Sequence, residues 1–203
     1  MKIALIGASG NVGSRVASEA LSRGHRVTGI ARHPEKIASK PGLTAVRGDA
    51  ASPESLSTAL AGHDAVVSST RFQGSDARTL LAAVKKAGVK RLLVVGGAGS
   101  LEVAPGRALI DAPDFPAAYK PEASAGRDFL NVLRGEKELD WTFLSPSAFF
   151  APGERTGRFR VGGDALLVGA DGQSRISMED YAIALVDELE TPRHSRRRFT
   201  VGY

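Results

Sequence analysis

The apolar run Lys2-Ile-Ala-Leu-Ile6 ends directly on Gly7-Ala-Ser-Gly-Asn-Val-Gly13, and this junction constrains the fold more than any other feature of the chain. A short run that is apolar at consecutive positions has the pattern of a strand buried on both faces, as at the centre of a parallel sheet. Behind the glycines, Val12, Val16, Ala17, Ala20 and Leu21 recur at helical spacing between Asn11 and Arg23, and Gly24 follows as a stop signal. Arg26 to Arg32 then reads as a second strand. Strand, glycine turn, helix and strand within about thirty residues make a βαβ unit. In that setting each glycine has a task. Gly7 permits a sharp turn, Gly10 leaves room for a pyrophosphate to reach the backbone, and Gly13 lets the helix sit close to the strand. The unpaired amides and dipole at the helix start favour an anion, so Gly7, Ala8, Ser9, Gly10, Asn11, Val12 and Gly13 are expected to bind a dinucleotide.

The same rhythm continues along the chain. Leu43 to Val46, Asp64 to Ser68 and Arg91 to Val95 read as the third to fifth strands, separated by a short helix capped at Ser52 with Pro53 in its first turn and by a helix over Asp76 to Ala87. Residues 97 to 117 read as a long loop, a helix is expected from about Pro121 to Leu133, and Trp141 to Ser145 is a sixth strand. From Pro146 to Ser177 the alternation lapses into glycine-rich sequence with short β-like pieces at 159–161 and 165–168, the natural location for a substrate side. Ser177-Met-Glu-Asp180 fits a capping box opening a helix through Leu189, before one last strand. Strands alternating with helices predict an α/β fold, a Rossmann-type doubly wound parallel sheet of order 3-2-1-4-5-6 with a small C-terminal extension over about 146–178. With 203 residues and roughly 150 per domain, a single domain is expected over 1–203.

Composition excludes several chemistries. The chain has no cysteine, so it has no disulfide framework, thiolate metal site or iron–sulfur cluster. Its four histidines, His25, His33, His63 and His194, show no metal-ligand spacing, and no metal is expected. The net charge of +5 does not require a nucleic-acid partner, and the basic run Arg193, His194, Arg196, Arg197 and Arg198 reads as a solvated turn because no aromatic residues interleave it. No segment approaches the ~18 apolar residues of a membrane span, and Ile3 to Ile6 is too short for a signal-peptide core. A cytoplasmic protein without membrane or nucleic-acid partners is expected.

Cofactor type is set where the second strand ends. An acid there would favour the ribose hydroxyl of NAD, but the strand ends in Arg32-His33. A guanidinium at that place can grip the 2′-phosphate of NADP, so NADPH is expected to bind in preference to NADH. Asp49 suits either the adenine amino group or a local turn, with Ala50 beside it. Ser68, Ser69 and Thr70 are small enough for close backbone approach to a cofactor or for plain tight packing. Gly97, Pro146 and Ser147, at the ends of the fifth and sixth strands, complete the expected cofactor contacts.

The glycine fingerprint, Gly48-Asp49, His63-Asp64-Ala65-Val66-Val67 and Trp141-Thr-Phe-Leu-Ser-Pro146 resemble the atypical short-chain dehydrogenase/reductases. More narrowly, together with Pro152-Gly153, Thr156-Gly157, Gly172-Gln-Ser-Arg-Ile-Ser177 and Asp180-Tyr181-Ala182, they are similar to the NAD(P)H-binding group that includes NADH-flavin reductases and biliverdin-IXβ (flavin) reductase. That resemblance implies NAD(P)H binding in the crevice at the strand ends and hydride transfer to a flavin, quinone or similar planar acceptor. It also exposes a departure. Orthodox members pair a tyrosine with a lysine four residues on, whereas Tyr119 is followed by Lys120 and, four residues on, by Ala123. Tyr119 and Ser100 are the candidate catalytic residues, Ser100 standing after the fifth strand where the family's active-site serine is found. Flavin reduction needs little acid–base help, because the stacked rings exchange hydride and solvent supplies the proton. Phe72, Phe149 and Phe150 are the candidate acceptor-stacking rings, with Phe115 and Tyr119 nearby, while Trp141 reads as core. The competing reading is a non-catalytic NAD(P)H-sensing binding protein. A nucleotide-sugar epimerase or dehydratase is disfavoured by the missing Tyr–Lys spacing. Neither the acceptor's identity nor the oligomeric state is written in any motif.

Overall fold

The computed structural model describes residues 1–203. Strand β1 (Lys2–Ile6) is followed by α1 (Asn11–Ser22), β2 (Arg26–Ala31), β3 (Leu43–Arg47), α2 (Pro53–Leu60), β4 (Ala65–Ser68), α3 (Ala77–Lys86) and β5 (Arg91–Val95). The second half holds a small hairpin of β6 (Glu102–Ala104) and β7 (Arg107–Ala108), then α4 (Lys120–Arg134), β8 (Asp140–Ser145), β9 (Phe149–Ala151), β10 (Arg160–Gly162), β11 (Arg175–Ser177), α5 (Met178–Glu190) and β12 (Arg197–Gly202). The main sheet has the order β10-β12-β8-β5-β4-β1-β2-β3. All its pairings are parallel except that of β10 with β12. The expected order is therefore present, with β8 as sixth strand, and is extended by β12 and a short antiparallel edge.

The apolar runs are explained by the two faces of this sheet. Ile3 and Leu5 of β1 enter one core with Val16 and Ala17 of α1 and Tyr181 and Leu185 of α5. Ala4 and Ile6 enter the other, with Leu56 of α2, Leu80 of α3 and Phe129 of α4. Because successive strand side chains point to opposite faces, a strand covered by helices on both sides must be apolar at every position. Trp141 lies in the second core and donates its indole N–H to the Glu136 carbonyl at 3.2 Å.

Several local expectations need revision. Ser52 precedes α2, but its side chain makes no capping bond; only its carbonyl receives Leu56 N–H. The loop over 97 to 117 contains the β6–β7 hairpin and two 3₁₀ turns, and the piece at 165–168 forms no strand but a single bridge to Glu102. Ser177 does cap α5, accepting from Asp180 N–H at 3.0 Å. The box is not closed, because the Asp180 carboxylate turns away to Thr156 Oγ1, Gly157 N–H and the Tyr203 hydroxyl. The basic run is not wholly a solvated turn either. His194 pairs with the buried Glu188 at 2.7 Å and stacks on Phe199, and Arg198 is buried within β12, bonded to Asp164. A guanidinium can be buried there because a carboxylate and several oxygen acceptors meet its donors.

Asp76 supplies a sharp test of the capping logic. Its carboxylate accepts from the backbone N–H of Thr79 at 2.8 Å and from the Thr79 hydroxyl at 2.9 Å, and these bonds hold its pKa below the ordinary 3.8. Asp76→Ala is expected to lower unfolding free energy by about 1 kcal/mol at neutral pH. Because the folded pKa is depressed, this contribution is present in full above the ordinary carboxylate value and is lost as pH falls through the folded one. Urea unfolding of both proteins across the acid range should therefore show the gap closing on acidification, and a pH-independent gap would contradict the assignment.

Candidate active site

The carboxyl ends of the parallel strands all open on one edge of the sheet, which is where α/β proteins hold their ligands. The glycine turn lies at its centre. Gly7 has φ +82°, and its N–H donates to the Ile30 carbonyl at 2.9 Å, tying the turn to β2. A Cβ on Gly7 would overlap the Ser69 carbonyl, and one on Gly13 would overlap the Gly7 carbonyl. Gly10 is different. It precedes α1 in an ordinary extended conformation, no side chain caps the helix start, and its Cβ position meets only the Gly7 oxygen at 3.4 Å. Ser9, Gly10 and Asn11 are exposed on the open side, Val12 is half-buried, and Ala8 and Gly13 are buried beneath them. The three glycines thus differ in geometry: Gly7 makes a left-handed turn, Gly10 faces open space and Gly13 packs closely on the turn.

Around this turn the strand ends are arranged in order. Arg32 and His33 follow β2 on the surface, and His33 Nδ1 lies 3.2 Å from Glu35. Arg32 joins no ion pair. Gly48 N–H bonds the Ala31 carbonyl at 3.1 Å, so the Gly48-Asp49 turn lies next to Arg32. Asp49 accepts from Ala51 N–H at 3.0 Å, making the local turn that was one of its two readings, and Ala50 is half-buried behind it. After β4, Ser69 N–H reaches the Ile6 carbonyl at 2.9 Å. The hydroxyls of Ser68 and Thr70 bond one another, and Ser75 donates to Thr70. The small residues here accommodate the Gly7 turn itself.

Beyond β5 and β8 lies a cleft of about 680 Å³. Phe72, Phe115, Tyr119, Phe149 and Phe150, from three separate stretches of chain, all line it, as do Gly97, Ser100, Pro146 and Ser147. The rings are not equivalent. Phe72 is half-buried, its ring 5.2 Å from Phe129 and 5.9 Å from Phe143, so it forms the floor. Phe150 rests 4.8 Å from Tyr181. Tyr119 and Phe149, each 67% exposed, stand free at the mouth. Ser147 turns its hydroxyl to the Val201 carbonyl at 2.9 Å and offers the cleft mainly backbone.

Of the three tyrosines only Tyr119 reaches the cleft. Tyr181 is fully buried, its hydroxyl donating to the Leu144 carbonyl at 2.7 Å, and burial pushes its pKa far up. Tyr203 donates to Asp180 at 2.7 Å and is also shifted up, chiefly by burial.

Three polar clamps shape the cleft and have no signature in the sequence. Glu122 accepts from the backbone N–H groups of Phe72 at 2.7 Å and Gln73 at 3.1 Å, fixing the segment after β4. Arg127 pairs with Asp111 at 3.1 Å, holding the long loop to α4. Arg198 reaches Ser100 from behind. Each partner pair is distant in sequence, so spacing rules could not find it. The one available hint was that Arg198 begins the alternation of a strand.

Comparison with known proteins places these features in a family context. The family model described as NAD(P)H-binding matches residues 7–192. A solved structure described as a "putative exported protein" from Burkholderia pseudomallei is 49% identical, with a TM-score of 0.92 and full coverage of both chains. A "putative epimerase" from Bacteroides thetaiotaomicron is 47% identical with a TM-score of 0.94, covering 100% of this chain and 96% of that one. A "putative NADH-flavin reductase" from Streptococcus pneumoniae TIGR4 is 36% identical with a TM-score of 0.87, covering 100% of this chain and 99% of that one.

The glycine geometry makes a paired prediction. Gly10→Val is expected to leave unfolding free energy within about 1 kcal/mol of wild type while abolishing NADPH binding, since the added side chain fills the open approach. Gly13→Val is expected to destabilise the protein outright. Calorimetric titration together with thermal unfolding would check both, and wild-type NADPH affinity in a folded Gly10→Val variant would show that the phosphates bind elsewhere.

Proposed function

The chain belongs to the NAD(P)H-binding family, and we propose that it is an NADPH-dependent reductase of a flavin, quinone or similar planar acceptor. The observation that carries this reading is the aromatic-lined cleft at the ends of β5 and β8, beside the dinucleotide turn. A cofactor whose pyrophosphate rests on Gly10 and the start of α1 runs along the sheet edge, with its adenine half toward Arg32 and Asp49 and its nicotinamide half toward Gly97 and Pro146. The acceptor then occupies the cleft, stacked between the nicotinamide and the rings of Phe149 and Tyr119, with Phe72 and Phe150 as walls. The similarity to the "putative NADH-flavin reductase" of Streptococcus pneumoniae TIGR4 supports the same assignment. No helix is long and apolar enough to cross a membrane.

The chemistry required of the chain is positioning. Tyr119 has no lysine four residues on and its ring is exposed, so it supports stacking or a single hydrogen bond better than a proton relay. Holding two rings in contact and excluding water between them is sufficient for hydride transfer to a planar acceptor.

Steady-state oxidation of NADPH with FMN, riboflavin and small quinones is the direct test. Turnover with at least one of them is expected. Tight NADPH binding without turnover would instead indicate a cofactor sensor, and turnover of a nucleotide sugar would indicate an epimerase. Within the reductase reading, Tyr119→Phe is expected to lose no more than about tenfold in kcat, whereas Phe149→Ala should raise the acceptor KM with kcat little changed. A hundredfold loss for Tyr119→Phe, with an altered pH profile, would show a proton relay.

Cofactor choice has its own test. Arg32→Glu should shift the ratio of NADPH to NADH affinity by about 1.5–3 kcal/mol toward NADH, the worth of a charge-assisted phosphate contact. An unchanged ratio in calorimetry would remove Arg32 from the phosphate site.

A further inference from the structure

Behind the cleft, on the side away from its mouth, lies a guanidinium that the proposed reaction has not yet used. The Arg198 side chain is 2% exposed. Its Nε and Nη2 bond Asp164 at 2.7 and 2.6 Å, Nη1 donates to Ser100 Oγ at 3.2 Å and to Ser145 Oγ at 3.4 Å, and Nη2 donates to the Ser100 carbonyl at 3.3 Å. Asp164 is in turn fixed by its own carbonyl, which receives Glu102 N–H at 2.9 Å. The arginine therefore grips both the side chain and the backbone of Ser100, and does so from β12, a strand that contributes nothing else to the cleft wall around Ser100.

This has a directional consequence. An arginine only donates, so the Ser100 oxygen is the acceptor in that bond, and its own hydrogen must point elsewhere. The Ser100 hydroxyl donates to no group of the protein, and Ser100 lines the cleft. A hydroxyl that accepts from a cation is polarised into a stronger donor. Burial draws the Arg198 pKa down while Asp164 opposes it, and the group stays cationic at neutral pH.

We propose that Arg198 is a positioning residue for hydride transfer: it fixes Ser100 as a donor directed into the cleft, and the pair selects acceptors whose reduction places the new electron pair on a carbonyl oxygen, the quinone class. This rests on the reductase reading and narrows it. The nicotinamide C4–H bond breaks with its electron pair leaving on hydrogen, which bonds to the quinone oxygen remote from Ser100; NADPH becomes NADP⁺, the ring π electrons shift so that the carbonyl oxygen beside Ser100 takes the negative charge, and solvent protonates that oxygen to complete the hydroquinone. Preorganised donors act where charge develops, which here is that oxygen.

The test is a double-mutant cycle on the NADPH-loaded protein with a 1,4-naphthoquinone. Arg198→Met and Ser100→Ala are each expected to lower kcat by about ten- to a hundredfold with NADPH Kd and quinone KM within about twofold, and the double variant should be no worse than Ser100→Ala alone. Arg198→Lys should recover part of the loss. Multiplying losses in the double variant, an effect confined to KM, or an unaffected Ser100→Ala variant would overturn the proposal. Should Arg198→Met fail to fold, Ser100→Ala and Arg198→Lys still decide it, since both leave the buried site filled. A readout independent of turnover separates this proposal from the reductase reading. 4-Nitrophenol bound to the NADP⁺ complex should ionise about one pH unit lower than it does free in solution, seen in its absorbance, and Ser100→Ala and Arg198→Met should abolish that shift equally. Absence of turnover with every acceptor defeats the reductase reading; a bound phenol that titrates identically in wild type and variants defeats the role of Arg198.

Discussion

Everything at the sheet edge depends on how closely the β1–α1 turn is pressed against its neighbours. The Gly7 carbonyl occupies the space where Gly13 would carry a side chain, and the Ser69 carbonyl occupies the corresponding space at Gly7. Three backbones are therefore in contact with nothing between them. The contact sets the start of α1 directly over the end of β1 and brings the end of β4 against the turn. Only then is Gly10 left open, with uncapped helix amides behind it. The open helix start is a by-product of tight packing as much as of the missing side chain at Gly10.

A second set of constraints acts on irregular chain. The long loop after β5 buries Leu101 and Ile110, the glycine-rich segment between β9 and β11 buries no large apolar side chain, and polar clamps complete their attachment. Glu122 holds the segment after β4, Arg127 and Asp111 hold the long loop, and Arg198 with Asp164 joins that loop to the C-terminal segment. On the opposite face Asp180, fully buried, binds Thr156, Gly157 and Tyr203, while Glu179 accepts from Gly153 N–H and pairs with Arg15 of α1. Glu19 does the same for Arg155, whose hydrogen bond is the main reason the Glu19 pKa is lowered. The substrate-side segment is thus strapped to the helix that begins at the dinucleotide turn. Such bonds are directional and fix a loop where apolar packing alone would leave it free to slide.

The cleft inherits its character from both. Its floor is core: Phe72 packs with Phe129 and Phe143 and is rigid for that reason. Its mouth is formed by Tyr119 and Phe149, which have no such packing. The cleft therefore has a fixed wall on one side and adjustable rings on the other.

What the sequence determined by itself is whatever rests on short-range pattern. Continuous apolar runs marked strands with helices on both faces, because alternate side chains of Ile3 to Ile6 enter opposite cores. Glycine spacing marked the turn, because only a residue without Cβ fits at Gly7 and Gly13. The strand order followed from right-handed crossovers. The capping signal at Ser177 was legible, yet the partner of Asp180 was not, since Thr156, Gly157 and Tyr203 are brought to it from other parts of the chain. The same holds for Arg198. A cluster of arginines near the C-terminus reads as solvated until β12 is inserted beside β8, where one of them meets Asp164 and Ser100. Tertiary structure alone decided which aromatic rings are floor and which are free, which tyrosine reaches the cleft, and which charges are buried. Those outcomes depend on contacts between residues far apart in the chain, and no local spacing carries that information.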